Sequence, residues 1–436
     1  MVARIGIRRE DKNPWERRVP LSPSDAAVLR STHGIEFSLQ PFSQRAFTDD
    51  EYMSVGASID EYLAGCPIVL GIKEMPNDFF RPCLTYVFFS HTIKGQAYNM
   101  PMLQHLLDLS CNLIDYERIT DDYGRRLVFF GVEAGLAGMI NTLWALGRRL
   151  KCKGIDNPFA EIRQALEYGT LLVAETAIRQ AGKIISESGV PSELHPFVCG
   201  FTGYGNVSRG AQQVYDYLPV KEITPEELLN PAPDTFSSRQ HVYKVVFKEE
   251  NMVEPVEPGR GFNLREYYDY PERYRGVFER YAPHLTLLMN CIFWTEEYPR
   301  LITKDLVRDL YSRGGIAKPI AIGDISCDIE GAVEVTLKVT NSGNPVYVFD
   351  IETGQACDGV EGNGPVILAV DNLPCELPRE SSDKFSSSLA PLIPDLARAD
   401  FKPEFEELDL CPALKRAVIC YHGKLAPDYA YLEECL

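Results

Sequence analysis

The chain has 436 residues, a length for two domains of ordinary size, and a composition of 45% hydrophobic and 24% charged residues that excludes wholesale disorder. Acidic side chains outnumber basic ones by 62 to 44, a formal charge of -18. A field of that sign repels phosphate backbones and anionic lipid, so neither nucleic acid nor a membrane is an expected partner, and an anionic substrate needs a local basic site.

Taken in chain order, the first 130 residues alternate strand and helix signals. Residues 3–7 read as a short apolar strand, 23–31 as a helix, 35–39 as a second strand, and 67–72 and 84–90 as apolar strands bounded by turn residues. Strands spaced by helical segments imply a parallel α/β sheet. From Val132 to Leu150 the apolar residues Leu136, Ile140, Leu143 and Leu146 recur at helical spacing, and residues 158–188 continue in the same style. The most apolar stretch, 131–147, is interrupted by Glu133 and followed by Arg148 and Arg149, so it reads as a buried helix rather than a membrane span. The opening MVARIGIRRE lacks the apolar core of a signal peptide. The expected location is the cytoplasm, or the mitochondrial matrix if a transit peptide has been removed. The 12 cysteines are scattered with no C-x-x-C pair, which fits a reducing compartment and gives no metal site and no disulfide framework.

A second α/β unit opens at Pro196. Residues 197–202 form a buried strand, GYGNVSRGAQQVYDYL a glycine-rich turn and helix, and PVKEI the next strand. Residues 224–275, rich in Pro, Glu and Tyr, read as an insertion. Strand-like runs lie at 243–247, 285–289, 320–325 and 333–339, and a Ser- and Pro-rich stretch at 381–395 precedes a closing helix.

The segment Gly203-Tyr204-Gly205-Asn206-Val207-Ser208 is G-x-G-x-x-S. Gly203 permits the tight turn out of the strand. Gly205, without a Cβ, lets backbone approach a pyrophosphate. The small Ser208 lets the helix lie close to the sheet, while its N-terminus offers N–H groups to the phosphates. A lone motif with its third glycine missing also suits an ordinary strand-to-helix turn; the preceding buried strand and the following helix favour a dinucleotide. The next strand ends at Lys221-Glu222, where an acid binds a ribose 2′-hydroxyl and a base a 2′-phosphate, so NADH and NADPH both stay open.

Three basic segments precede this unit: Arg8-Arg9-Glu10 through Arg17-Arg18, Lys73 after the strand PIVLGI, and His91 after LTYVFF. Lys73 and His91 each follow the C-terminal end of an apolar strand, the edge where open parallel sheets bind ligands. Alone, Lys73 reads more readily as a surface lysine, His91 as a packed or exposed histidine, and Arg8, Arg9 and Arg17 as solvated or ion-paired. Together an amine, an imidazole and a guanidinium suit a keto acid: arginine takes a carboxylate bidentately, and lysine and histidine do acid–base work. Downstream, Asp324 and Asp328 close another buried strand.

At RREDKNPWERRVPLSP, FFSHTIKGQAYNM, LIDYERITDDYGRR, AGLAGMIN, FTGYGNVSRGAQ, GDISCDIEGAVE, DGVEGNGP and DNLPCELPRE the sequence resembles the lysine-ketoglutarate reductase part of the aminoadipic semialdehyde synthase family, in family order over residues 8–380. Its wider relatives are saccharopine dehydrogenase, alanine dehydrogenase and the soluble domain of transhydrogenase. The resemblance implies an α/β fold of two Rossmann-like domains with parallel sheets separated by a cleft. The catalytic domain would comprise 1–130 plus 373–436, and the dinucleotide domain 131–372. It implies Lys73, His91 and Asp328 as catalytic residues and Arg18 and, more weakly, Arg126 as substrate-carboxylate ligands. Gly203, Gly205, Asn206, Val207, Ser208, Glu222 and Asp324 would lie on the cofactor side, with no metal. The implied reaction condenses lysine with 2-oxoglutarate to saccharopine using NADPH, with NADH as the alternative. Homo-oligomerisation and a fused or separate saccharopine dehydrogenase partner are further expectations. The rival readings are a lysine-forming NAD-linked saccharopine dehydrogenase, an alanine dehydrogenase, and a non-catalytic dinucleotide sensor.

Overall fold

The computed structural model describes residues 3–436. They divide into two compact units: one runs to Phe130 and resumes at Pro378–Leu436, and the other is Gly131–Leu377. In chain order the strands are β1 (Arg4–Ile7), β2 (Glu36–Leu39), β3 (Ser58–Ile59), β4 (Ile68–Leu70), β5 (Thr85–Phe88) and β6 (Asn112–Asp115), all in the first unit. The second unit holds β7 (Val198–Thr202), β8 (Val220–Glu222), β9 (Val242–Phe247), β10 (Val253–Pro255), β11 (Tyr274–Gly276), β12 (Leu287–Asn290), β13 (Ala321–Asp324), β14 (Val346–Phe349), β15 (Ala356–Asp358) and β16 (Val366–Leu368). The chain then returns to the first unit with β17 (Val418–Tyr421) and β18 (Lys424–Leu425).

The first unit is one eight-stranded sheet, ordered β18-β17-β6-β5-β4-β1-β2-β3. Strands β4, β5 and β6 are buried at every position, as strands covered on both faces must be. The helix Pro23–His33 starts where Ser22 accepts the Asp25 N–H and ends at Gly34, whose φ of 68° suits a residue without a Cβ. The Ser- and Pro-rich stretch at 381–395 is mostly helix, the first part of it in Pro378–Leu389. Two of its buried serines bond across the unit: Ser382 Oγ accepts the Val19 N–H (3.0 Å) and Ser386 Oγ that of Ser22 (2.8 Å), so small polar residues stitch this helix to the N-terminal segment.

The second unit carries another eight-stranded sheet, β15-β14-β16-β13-β12-β7-β9-β8, and a hairpin of β10 and β11. Both large sheets are mostly parallel, as expected, with antiparallel strands only toward one edge of each. Strand β17 runs antiparallel to β6, and β14 and β15 run antiparallel at the far edge of the second sheet. Residues 158–170 are not continuous helix; the helix begins at Leu171, past Pro158 and the left-handed Gly169. The supposed insertion at 224–275 contains β9, which pairs directly with β7 and so belongs to the sheet. Residues 333–339 form no strand: Val333 and Val335 fill the core from an irregular segment pinned by a single bridge to Ile302.

Two helices of this unit cross almost backbone to backbone. A Cβ on Gly135, in the helix Gly131–Cys152, would lie 1.9 Å from the Val207 carbonyl oxygen. One on Gly210, in the helix Asn206–Tyr215, would lie 2.0 Å from the Val132 oxygen. Only glycine fits at either position.

Candidate functional site

In the first unit, sequence order reverses about β1, which lies between β2 and β4. Strands β1, β4 and β5 are parallel neighbours, so the loops after them leave the same sheet edge. These loops carry Glu10, Lys73 and His91. Glu10 is buried and its carboxylate accepts the backbone N–H of Ile72 (2.7 Å) and of Lys73 (3.1 Å), which ties the β1 loop to the β4 loop. Burial, helped by the charge of Glu16, pushes its pKa up to about 7 against the pull of Arg8 and the two N–H groups. Burial likewise lowers the pKa of Lys73, and the nearby Arg18 charge lowers it further, while Glu16 and Glu74 oppose. A lysine in this setting is readied to work as an amine.

His91 sits in a left-handed conformation (φ 50°), with its carbonyl accepting from Asn99 Nδ2 (3.1 Å). Its Nδ1 lies 2.7 Å from Glu74 Oε1. Glu74 also binds Lys12 Nζ (2.5 Å). Burial opposes ionisation of Glu74, but His91 and Lys12 outweigh it and hold its pKa at about 2. An ionised carboxylate only accepts, so Nδ1 carries the proton and Nε2 is the nitrogen that can exchange one. Lys73 and His91 are thus brought to adjacent strand ends, with Glu74, the residue after Lys73, bonded to His91. Arg18 is buried, its Nε and one terminal nitrogen on the two oxygens of Glu16 (2.8 and 2.5 Å) and its plane over the Phe130 ring at 4.2 Å. Arg126 stands apart in character: it is exposed and ion-paired to Glu117 at the surface.

In the second unit the order reverses at β7, between β12 and β9, the kind of switch point that opens a ligand crevice. Gly203 has φ 83° and donates its N–H to the Phe247 carbonyl (2.9 Å). A Cβ on Gly205 would meet nothing within 4 Å, so that side of the turn is open to a ligand. Gly205 is also the helix N-cap and caps nothing with a side chain, which leaves the N–H groups of Asn206, Val207 and Ser208 without a side-chain cap. Ser208 is buried and its Oγ accepts from Gln212 (2.9 Å). These features fit a dinucleotide pyrophosphate. A cavity of about 350 Å³ adjoins the turn, lined by Gly203, Gly205, Glu249, Tyr268, Ile292 and Trp294 among others.

Thr202, Asn290 and Asp324 stand level at the ends of β7, β12 and β13. Thr202 Oγ1 meets Asn290 Oδ1 (2.9 Å), Asn290 Nδ2 donates to Asp324 Oδ1 (2.8 Å), and Thr336 Oγ1 donates to Asp324 Oδ2 (2.6 Å). Burial raises the Asp324 pKa to about 6 although Thr336 and Asn290 favour the ion. Both its oxygens are held by protein, so Asp324 braces the strand ends. Asp328 lies exposed in the turn that follows, its carbonyl accepting the Gly331 N–H (3.0 Å). Glu222 requires a correction: β8 is the edge strand, separated from β7 by β9, and Glu222 instead pairs with Lys244 (3.4 Å).

Sequence reasoning passed over Glu10, Glu16 and Glu74 as binders of the basic groups. Only Glu16 lies within two residues of the group it binds, Arg18; Glu74 reaches His91 across 17 residues and Glu10 the Lys73 N–H across 63, pairings that local spacing does not show. Asn290 and Thr336 gave no signal, since their roles come from strand register. Among the described residues, no group of three or more His, Cys, Asp or Glu side chains could hold a metal ion, and no helix is long and apolar enough to cross a membrane. All 12 cysteines are free thiols.

Residues 6–137 match the family described as alanine dehydrogenase/PNT, N-terminal domain. The fold is that of L-alanine dehydrogenase, at TM-score 0.64 and 20% identity, covering 99% of this chain and 100% of that one. The chain is also 36% identical over 451 residues to alpha-aminoadipic semialdehyde synthase, mitochondrial, of Bos taurus, covering 99% of this chain and 47% of that protein. It is 26% identical to saccharopine dehydrogenase [NAD(+), L-lysine-forming] of Emericella nidulans, covering 89% and 90%. The chain spans about half the length of the curated alpha-aminoadipic semialdehyde synthases it matches.

Proposed function

We propose that the chain is a lysine-ketoglutarate reductase, condensing the ε-amine of lysine with the keto carbon of 2-oxoglutarate and reducing the product to saccharopine. The observation that carries this reading is Lys73, an amine disfavoured as a cation, on a strand end beside His91. The amine adds to the keto carbon, forming a C–N bond and a carbinolamine. Lys73 takes the proton released from nitrogen. The carbinolamine hydroxyl, protonated through His91 Nε2, leaves as water to give an imine. A reduced nicotinamide, when bound, would supply the hydride needed to turn the imine into a secondary amine. Arg18, its plane set by Glu16 and Phe130, fixes a substrate carboxylate so that the carbon is held for reaction. Asp328 lies on the nicotinamide side, and Gly203, Gly205, Asn206, Val207 and Ser208 hold the pyrophosphate.

The similarity to lysine-forming saccharopine dehydrogenases makes the reverse direction the second reading, since the same groups serve both ways. A coenzyme-oxidation assay tests the proposal. Lysine plus 2-oxoglutarate is expected to support turnover and ammonia plus pyruvate is not. Turnover only with ammonia and pyruvate would replace the proposal by alanine dehydrogenase, and none with any pair would leave a nucleotide-binding sensor.

A further inference from the structure

We propose that Lys248 reads the ribose of the cofactor and selects NADPH over NADH, an assignment that rests on the dinucleotide reading of the Gly203–Ser208 turn. In a doubly wound sheet the ribose lies at the C-terminal end of the strand beside the glycine-rich strand, on the side away from the later strands. Here that neighbour is β9, not β8. Thr202 stands opposite Phe247 in the register, and the Phe247 carbonyl accepts the Gly203 N–H. Lys248 is therefore the first residue past the turn on the strand that matters, and it is exposed.

Two acids compete for the role and neither fits it. Glu222 lies on the edge strand and is drawn to Lys244, which also holds Asp216 at 2.9 Å. Glu249 lines the cavity, but its carboxylate accepts the Tyr268 hydroxyl (2.7 Å), and it raises the pKa of Tyr204 by its charge and hydrogen bond. It is thus committed to an aromatic wall. A 2′-phosphate adds up to two negative charges to a ligand approaching a protein of formal charge -18. A local ammonium is what reverses that repulsion, and lysine serves as a point charge for phosphate.

The test titrates the full chain calorimetrically with 2′,5′-ADP and with 5′-ADP, probes that differ by the 2′-phosphate alone. The wild type is expected to bind 2′,5′-ADP at least about tenfold more tightly, the range of one charge-assisted hydrogen bond. Lys248→Ala should abolish that gap with 5′-ADP affinity unchanged, and Lys248→Arg should keep it. The Lys248 side chain is exposed, so thermal unfolding should not move in either variant. A gap that survives Lys248→Ala, an equal loss for both probes, or wild-type preference for 5′-ADP overturns the assignment while leaving the dinucleotide site standing. Failure of the wild type to bind either probe removes the dinucleotide reading itself, and this assignment with it.

Discussion

The helix crossing behind the glycine turn offers a direct test of how the cofactor site is held. In Gly135→Ala the new methyl would lie 1.9 Å from the Val207 oxygen and 2.7 Å from the Ala211 nitrogen, against 3.4 Å or more for ordinary contact. Both obstacles are backbone, so no side chain can swing aside, and the helices must part by roughly 1.5 Å. Overpacking of this kind costs about 1–3 kcal/mol, and the rigid partners place it at the upper end. In a unit of this size that lowers the unfolding midpoint by roughly 6–12 °C. Val207 lies in the first turn of the helix whose N–H groups face the proposed pyrophosphate, so dinucleotide affinity should fall as well. Gly205→Ala is the contrast: its Cβ meets nothing within 4 Å and its φ is -74°, so stability should hold while nucleotide binding weakens. Differential scanning calorimetry and nucleotide titration read both. An unchanged midpoint and affinity in Gly135→Ala would refute the idea that this crossing positions the turn.

Lys73→Met should lower turnover by about 10²–10⁴-fold, the usual worth of acid–base catalysis, with dinucleotide affinity intact by titration; unchanged turnover removes Lys73 from the mechanism. Glu10 has a folded pKa of about 7 against an ordinary 4.5, so the unfolded chain loses that proton first. Stability then declines as pH rises from 4.5 to 7, by about 3 kcal/mol from this group. Urea unfolding at pH 5 and pH 8 should show a smaller difference in Glu10→Gln than in wild type, and an equal difference would show that Glu10 does not titrate in this way. Arg126→Ala, which breaks an exposed pair with Glu117, should shift stability by less than about 1 kcal/mol, and an unchanged KM for the keto acid would strike Arg126 from the substrate ligands.

Local pattern made much of this legible. Residues 3–7, 23–31 and 197–202 announce their elements because apolar spacing, caps and turn glycines act over a few residues, and Lys73 and His91 stand out because buried strands end just before them. What the sequence hides is pairing. Nothing in residues 220–222 marks β8 as an edge strand, and nothing in 242–247 marks β9 as the neighbour of β7, so Glu222 reads as lying beside the glycine turn when the topology puts it one strand away. The burial of Ser382 and Ser386 is hidden for a related reason, since their partners lie 363 and 364 residues away in the chain.

The two sheets solve one problem in the same manner. A parallel strand end leaves backbone groups unpaired where a ligand must later bind, and loops there are otherwise loose. In the first unit Glu10 takes the N–H groups of Ile72 and Lys73, and Asp115 takes that of Ser90 (3.1 Å), the residue before His91. In the second, Asn290 and Asp324 link the ends of β7, β12 and β13. Each of these carboxylates is buried, and burial raises the pKa of Asp115 and Asp324 to about 6 and of Glu10 to about 7. A sheet selected for stability alone would put apolar side chains there. Keeping three buried acids with raised pKa at the strand ends sacrifices stability near neutral pH, and what it secures is a fixed backbone beneath Lys73, His91 and the glycine turn.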